Sequence, residues 1–128
     1  MALLWLDHVN IRTSNLAMLE DFYQRVLGMQ AGPRPSFSFN GRWMYVGDRA
    51  WVHLVERAEQ PRVDETRMDH FAIRAQGLDE FVAHLESLDI PCRISDVPGY
   101  DIRQVNVHDP DGNRIEVQFD MTSEPDPA

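Results

Sequence analysis

One seven-residue pattern occurs twice in the chain and constrains its fold more than any other feature. Residues 6–12 read LDHVNIR, and residues 68–74, which start 62 positions later, read MDHFAIR. Asp, His, Ile and Arg recur at matching places, and apolar residues occupy the first and fourth positions of both copies. Because a repeat with so specific a centre indicates a duplicated supersecondary unit, we expect two similar halves, each with a histidine at the centre of its first strand.

The segments after each copy predict the same order of elements. An apolar stripe at helical spacing follows each first strand, and three further stretches with strand periodicity follow each helix. The predicted strands are residues 3–12, 29–39, 42–46 and 50–56 in the first half and residues 68–74, 91–97, 101–108 and 114–119 in the second. The dipeptide Asn40-Gly41 is the strongest hairpin signal and predicts a tight turn. Each half is therefore predicted to be a βαβββ module.

These modules predict an α+β fold in a single domain over residues 1–120. Module 1 covers about residues 3–56, a polar linker covers residues 57–67, and module 2 covers about residues 68–119. We expect a pseudo-twofold arrangement in which the strands form a cupped mixed sheet with the helices on the outside. Residues 121–128 are polar and contain proline, which predicts a flexible acidic tail.

Charge and composition exclude several classes of partner. The formal net charge is −9, from 12 Lys and Arg against 21 Asp and Glu, and binding to nucleic acid or to an anionic membrane needs a cationic surface. No apolar run approaches membrane-spanning length. The single cysteine, Cys92, permits no internal disulfide and fits a reducing compartment, so a cytoplasmic protein is expected. Cys92 itself is predicted to be a buried, inert thiol.

Strand alternation predicts which side chains share a face. The apolar alternate positions of the first and last strands of each module are predicted to pack under the helices. The opposite face then carries His8, His53, His70 and Glu116. His53 and Glu116 are 63 positions apart, nearly the spacing of His8 and His70, so the four form two symmetry-related pairs. Internal symmetry would bring them toward one axis.

Imidazole nitrogens and a carboxylate on a concave face suit Fe, Mn, Co, Ni or Zn. A single histidine in a strand is more often structural, and four candidates at related positions are what favours a divalent-metal site. His53 has a second interpretation, as an acid/base or substrate-contacting group. His84 is predicted to face solvent, and His108 to be structural. Trp43, Tyr45 and Trp51 are large enough to line a pocket, although such aromatics are more often core or interface residues.

The two His-containing strands, the segment FYQRVLGM, the turn DPDGN and the strand RIEVQF resemble the vicinal oxygen chelate superfamily. This superfamily includes glyoxalase I, fosfomycin and bleomycin resistance proteins, and extradiol dioxygenases. The resemblance implies a metal bound by the first and fourth strands of each module, which here carry His8, His53, His70 and Glu116. It also implies a homodimer, with the site either within one chain or shared between two.

Departures from the family patterns leave the reaction open. Glyoxalase I resembles this layout but carries Glu where His53 stands. This departure argues against glutathione-linked glyoxalase activity. The first hypothesis is a metal-dependent lyase or isomerase that chelates a small oxygenated metabolite through vicinal oxygens, with Glu116 or His53 moving a proton. The second is an Fe(II) or Mn(II) extradiol-type dioxygenase on His8, His70 and Glu116. The third is a non-catalytic binding or resistance protein for a small molecule.

Overall fold

The computed structural model describes residues 1–62 and 66–124 and divides the chain into two compact units, Met1–Asp64 and Glu65–Ala128. Each unit contains one helix and four strands in the order βαβββ, which confirms the predicted α+β fold. Residues 63–65 of the predicted linker and residues 125–128 of the predicted tail lie outside the described residues. Neither helix in the described part of the chain is long and apolar enough to cross a lipid bilayer.

The first unit forms a four-stranded sheet in the order β1-β4-β3-β2. Its elements are β1 (Val9–Thr13), α1 (Leu16–Arg25), β2 (Gln30–Gly32), β3 (Gly41–Val46) and β4 (Arg49–Glu56). The β1 and β4 strands are parallel, and the other pairs are antiparallel. The Asn15 side chain accepts a hydrogen bond from the Met18 backbone N–H at 3.3 Å and so caps α1.

The second unit repeats this topology with the order β5-β8-β7-β6. Its elements are β5 (His70–Ala75), α2 (Leu78–Ser87), β6 (Arg93–Asp96), β7 (Ile102–His108) and β8 (Arg114–Asp120). The β5 and β8 strands are parallel, like β1 and β4. The α2 helix starts after Gly77, and the Glu124 carboxylate accepts hydrogen bonds from the Gly77 and Leu78 backbone N–H groups at 2.8 and 2.6 Å.

Each unit has its own apolar core, as the alternation of the strands predicts. In the first unit, Leu19 and Tyr23 of α1 are buried with Met44, Val52 and Leu54 of the sheet. The fully buried apolar side chains of the second unit are Leu85, Val105, Val107, Ile115 and Phe119. Since Val52 and Leu54 alternate with His53, and Ile115 and Val117 with Glu116, the polar side chains lie on the face opposite each core.

The first strand of each module is shorter than predicted at its start. The β1 strand begins at Val9, where the sequence predicts a strand from residue 3. Val9 pairs with Val52, and carrying this register backward places Leu6 opposite Arg49, the first residue of β4. Residues 3–5 consequently have no β4 residue to pair with. The β5 strand likewise begins at His70, which pairs with the first residue of β8, Arg114.

The predicted tight turn at Asn40-Gly41 is wrong. The β2 strand ends at Gly32, which pairs with Trp43, so residues 33–40 connect β2 to β3. Gly41 begins β3, and a Cβ atom at this position would collide with the Leu54 backbone oxygen. Asn40 donates a side-chain hydrogen bond to Glu56 at 2.6 Å. The glycine therefore allows close approach of neighbouring strands and does not form a turn.

Candidate metal centre and adjoining cavity

In the second unit, His70 and Glu116 are brought together by the parallel pairing of β5 and β8. His70 pairs with Arg114, and Ala72, two residues on, pairs with Glu116. The His70 Nε2 atom lies 3.0 Å from Glu116 Oε2. Glu116 is 8% exposed, and the His70 side chain is 31% exposed. A buried carboxylate and an imidazole nitrogen thus converge on one point at the surface of the sheet.

In the first unit, His8 and His53 occupy the equivalent places. His8 directly precedes β1, and Asn10, two residues on, pairs with His53 of β4. The two imidazole rings stack with centroids 3.7 Å apart and an interplanar angle of 10°. His53 and Glu116 thus pair with the residues two positions after His8 and His70, respectively. This register agrees with the nearly equal spacing of the two pairs in the sequence.

Each first-strand histidine is held by the aspartate that precedes it. His8 Nδ1 lies 2.7 Å from Asp7 Oδ2, and His70 Nδ1 lies 2.7 Å from Asp69 Oδ2. Because an ionised carboxylate only accepts hydrogen bonds, both Nδ1 atoms donate. In His8 this assignment leaves Nε2 as the ring atom that can bind a metal, which is the usual arrangement of a metal-binding histidine. In His70, Nε2 faces the Glu116 carboxylate, and either a proton or a metal ion between the two atoms would satisfy both.

The same hydrogen bonds lower the pKa of both aspartates. The bond to His8 is the main cause for Asp7, and the bond to His70, followed by the charge of Arg114, is the main cause for Asp69. The Arg114 Nη2 atom lies 2.8 Å from Asp69 Oδ2 and 2.7 Å from His70 Nδ1. Arginine has no acceptor atom, so its ion pair with Asp69 accounts for its position.

His53 lies between two aromatic rings. One is His8 and the other is Trp43, its cross-strand partner on β3. The Trp43 and His53 rings have centroids 3.9 Å apart and an interplanar angle of 12°. His53 is 7% exposed. Burial and the neighbouring His8 lower the pKa of His53, in that order of importance. The ring is therefore held neutral at pH 7, as either a ligand or a general base requires.

The donor set fits a divalent first-row metal. Three imidazoles and one carboxylate are appropriate ligands, and the Asp–His pairs orient two of the imidazoles. The parallel stack of His8 and His53 argues against both rings binding the same ion, because one ion cannot lie in the planes of two parallel rings at once. Among residues 1–62 and 66–124, no group of three or more His, Cys, Asp or Glu side chains is placed to hold a metal. The predicted ligands form one pair in each unit.

A cavity of about 270 Å³ lies beside His53 in the first unit. It is lined by Trp5, Asp7, Trp43, Tyr45, Asp48, Arg49, Ala50 and His53. The Arg49 guanidinium lies over the Trp5 ring, 4.4 Å from its centroid. Trp43 and Tyr45, which the sequence identifies as large enough to line a pocket, do so here. The cavity combines aromatic walls with a few charged groups, as small-molecule sites commonly do.

Several further sequence expectations can be compared with the structure. His84 and His108 are exposed, the first as predicted. Cys92 is also exposed, so its predicted burial is wrong; it lies between α2 and β6, ahead of the paired residues that begin at Arg93. The hydrogen bonds from His8 and His70 to Asp7 and Asp69 were not predicted, although both aspartates are part of the repeat. No sequence signal identifies Arg49 as a cavity residue.

Comparisons with known proteins agree with this architecture. A family model described as the Glyoxalase/Bleomycin resistance protein/Dioxygenase superfamily matches residues 5–117. The Arabidopsis thaliana protein Glyoxylase I 4 is 27% identical over 120 residues, which are 88% of this chain and 68% of that protein.

Solved structures show the same fold at lower sequence identity. A Bacillus anthracis protein assigned to the glyoxalase family has a TM-score of 0.78 and 23% identity, and the match covers 94% of this chain and 98% of that chain. The trypanothione-dependent glyoxalase I of Leishmania major has a TM-score of 0.69 and 24% identity, with coverage of 92% and 88%. From the family match over most of its length, the chain belongs to the glyoxalase/bleomycin resistance protein/dioxygenase superfamily.

Proposed function

We propose that the protein is a divalent-metal-dependent lyase or isomerase of the glyoxalase type. Its substrate is a small oxygenated metabolite that binds through vicinal oxygens. His8, His70 and Glu116 are the proposed metal ligands, and His53 is the proposed proton carrier, with a role as fourth ligand as the alternative. The metal is a first-row ion such as Zn, Ni, Fe, Mn or Co.

One observation carries this proposal: the same Asp–His arrangement occurs in both units at the same strand position. Each Asp–His distance is 2.7 Å, and each histidine contacts a second candidate residue two positions along the neighbouring strand. A structural histidine needs no carboxylate to fix its tautomer. The occurrence of the Asp–His hydrogen bond in both units therefore favours metal binding by the two histidines.

The side chains divide the proposed chemistry between them. A divalent ion held by His8, His70 and Glu116 would polarise a substrate carbonyl and stabilise the oxygen on which negative charge develops. His53 removes a proton from the carbon beside that carbonyl and returns it to the neighbouring carbon. Trp43 and His8 hold the His53 ring in place by stacking, and His53 also lines the cavity.

The test uses metal-loaded protein with hemithioacetals formed from methylglyoxal and a panel of thiols, glutathione among them. We expect turnover with incorporation of solvent deuterium at the carbon that is protonated. His53→Gln should lower kcat by about 100-fold or more, which starts at the lower end of the range for loss of a general base, while metal content stays unchanged. Tight binding of the panel without turnover supports a non-catalytic binding protein and contradicts the proposal.

The same ligand set also supports one second candidate, an Fe(II) or Mn(II) dioxygenase. If His53 is not a ligand, two histidines and one glutamate remain, which is the ligand set of many non-haem Fe(II) oxygenases. Catechol turnover by the Fe(II)-loaded protein under air, and its loss under anaerobic conditions, distinguishes this function. Products that form equally without oxygen exclude it.

We also propose a cytoplasmic homodimer. The single cysteine supports a reducing compartment. Leu3, Leu4 and Leu6 are strongly exposed, and adjacent exposed apolar side chains commonly mark a protein contact. Light scattering of the purified protein measures the mass directly: twice the chain mass is expected, and a monomer at micromolar concentration contradicts the dimer.

A further inference from the structure

The second unit contains a buried polar group that neither the fold nor the proposed metal site uses. Asn106 of β7 is 6% exposed. Its Nδ2 atom donates a long hydrogen bond, 3.5 Å, to the Arg93 backbone oxygen. Its Oδ1 atom has no hydrogen-bond partner among the described residues. A buried amide oxygen without a partner is costly, so its retention needs an explanation.

The position of Asn106 suggests one. Asn106 pairs directly with Glu116 across the antiparallel β7–β8 ladder, and residues paired in this way have side chains on the same face of the sheet. Its neighbours Val105 and Val107 are fully buried on the core side. Asn106 therefore stands on the face of Glu116 and His70, opposite the core.

The first unit shows what stands at the position that corresponds to Asn106. Trp43 pairs with His53 as Asn106 pairs with Glu116, so Asn106 and Trp43 hold corresponding places in the two modules. Trp43 covers its partner with an aromatic ring and lines the cavity. At the corresponding place in the second unit, the chain carries a hydrogen-bonding amide, which suits a polar part of a ligand.

We propose that Asn106 Oδ1 accepts a hydrogen bond from a hydroxyl group of the substrate bound beside Glu116. This inference rests on the proposed function, which places the substrate at Glu116. It makes Asn106 a specificity residue and narrows the substrate class to compounds in which a hydroxyl group is one of the chelating oxygens or is next to them. An analogue that cannot donate leaves the amide oxygen unpaired, and such sites discriminate strongly.

Stability of the metal-free protein gives the first readout. Asn106→Leu removes the unpaired oxygen while keeping the branched shape of the side chain, so it should raise the melting temperature measured in EDTA. Gln104→Leu is the matched control, because Gln104 lies two residues away on the same strand face and its side-chain oxygen accepts a bond from Ser95. It should not raise the melting temperature. A lower melting temperature for Asn106→Leu than for both the parent and the control contradicts the inference.

Ligand discrimination gives the second readout. Binding of lactate and of 2-methoxypropanoate, which cannot donate, is measured by calorimetry on the Zn²⁺-loaded protein. The preference of the parent for lactate should exceed that of Asn106→Leu by about tenfold, the value of one hydrogen bond. Asn106→Ala, which leaves space and introduces no bulk, should show the same loss and covers the case in which the leucine variant folds poorly.

The outcomes separate the two proposals. Equal lactate preference in the parent and both variants, or a parent that does not distinguish the two acids, overturns the assignment of Asn106 and leaves water as its partner. Failure of the parent to bind Zn²⁺ at all contradicts the proposed metal centre instead.

Discussion

At the residue scale, the proposed chemistry depends on the Asp–His pairs and the stacked His53. The aspartates fix which imidazole nitrogen is free, and the stack keeps His53 buried and neutral. The histidines and Glu116 could be identified from sequence because the repeat and the equal spacing relate them. The stack could not, since it depends on the β3–β4 register that places Trp43 opposite His53.

The aspartate of each pair should control metal affinity without contacting the metal. Asp69→Asn loses the charge that strengthens the His70 Nδ1 hydrogen bond, and Zn²⁺ affinity should fall about 10- to 100-fold. Calorimetric titration with Zn²⁺ measures this, and Asp79→Asn on the exposed first turn of α2 is the control. Unchanged affinity in Asp69→Asn would show that the pair is only structural.

The lowered pKa of His53 predicts a pH dependence of stability. Its folded-state pKa lies below the ordinary histidine value of about 6.5, so the unfolded chain binds more protons in the interval between the two values. The free energy of unfolding should therefore decrease as the pH falls from 6.5 through the folded pKa. His53→Gln should flatten this part of the profile, as followed by urea denaturation of metal-free protein. A slope as steep as that of the parent argues against this titration.

At the element scale, the strand order and the helices follow from the sequence patterns, and the connections do not. The predicted turn at Asn40-Gly41 fails because Gly41 serves the close approach of β3 to Leu54. The cap of α2 was also not predictable from local sequence. It comes from Glu124, more than 40 residues beyond the helix start.

Glu124 should stabilise α2 from a distance. Its carboxylate accepts bonds from two N–H groups at the helix N-terminus, where negative charge is also favoured by the helix dipole. Glu124→Ala should lower the free energy of unfolding by about 0.5–2 kcal/mol, the usual range for a lost cap. Asn15→Ala provides a comparison at α1. Urea denaturation in which Glu124→Ala matches the parent would contradict this role.

At the scale of the whole molecule, duplication explains both the fold and the placement of candidate ligands. Two units with the same strand order each present one histidine from the start of the first strand and one partner from the fourth. The sequence reveals this because His8 and His70 lie at the centre of a repeat. It reveals the reaction poorly, because one fold can support many different reactions.

The proposed metal centre depends on His8 and His70 as ligands of a divalent ion. Equilibrium dialysis against Zn²⁺, with metal counted per chain, tests it on the parent, His8→Ala, His70→Ala and the exposed control His108→Ala. One ion per chain is expected in the parent and in His108→Ala. His8→Ala and His70→Ala should each lose Zn²⁺ affinity by more than about 100-fold, the upper end of the loss seen for residues that only hydrogen-bond to a ligand. Two ions per chain, or His8→Ala and His70→Ala proteins that bind Zn²⁺ like the parent, would contradict it.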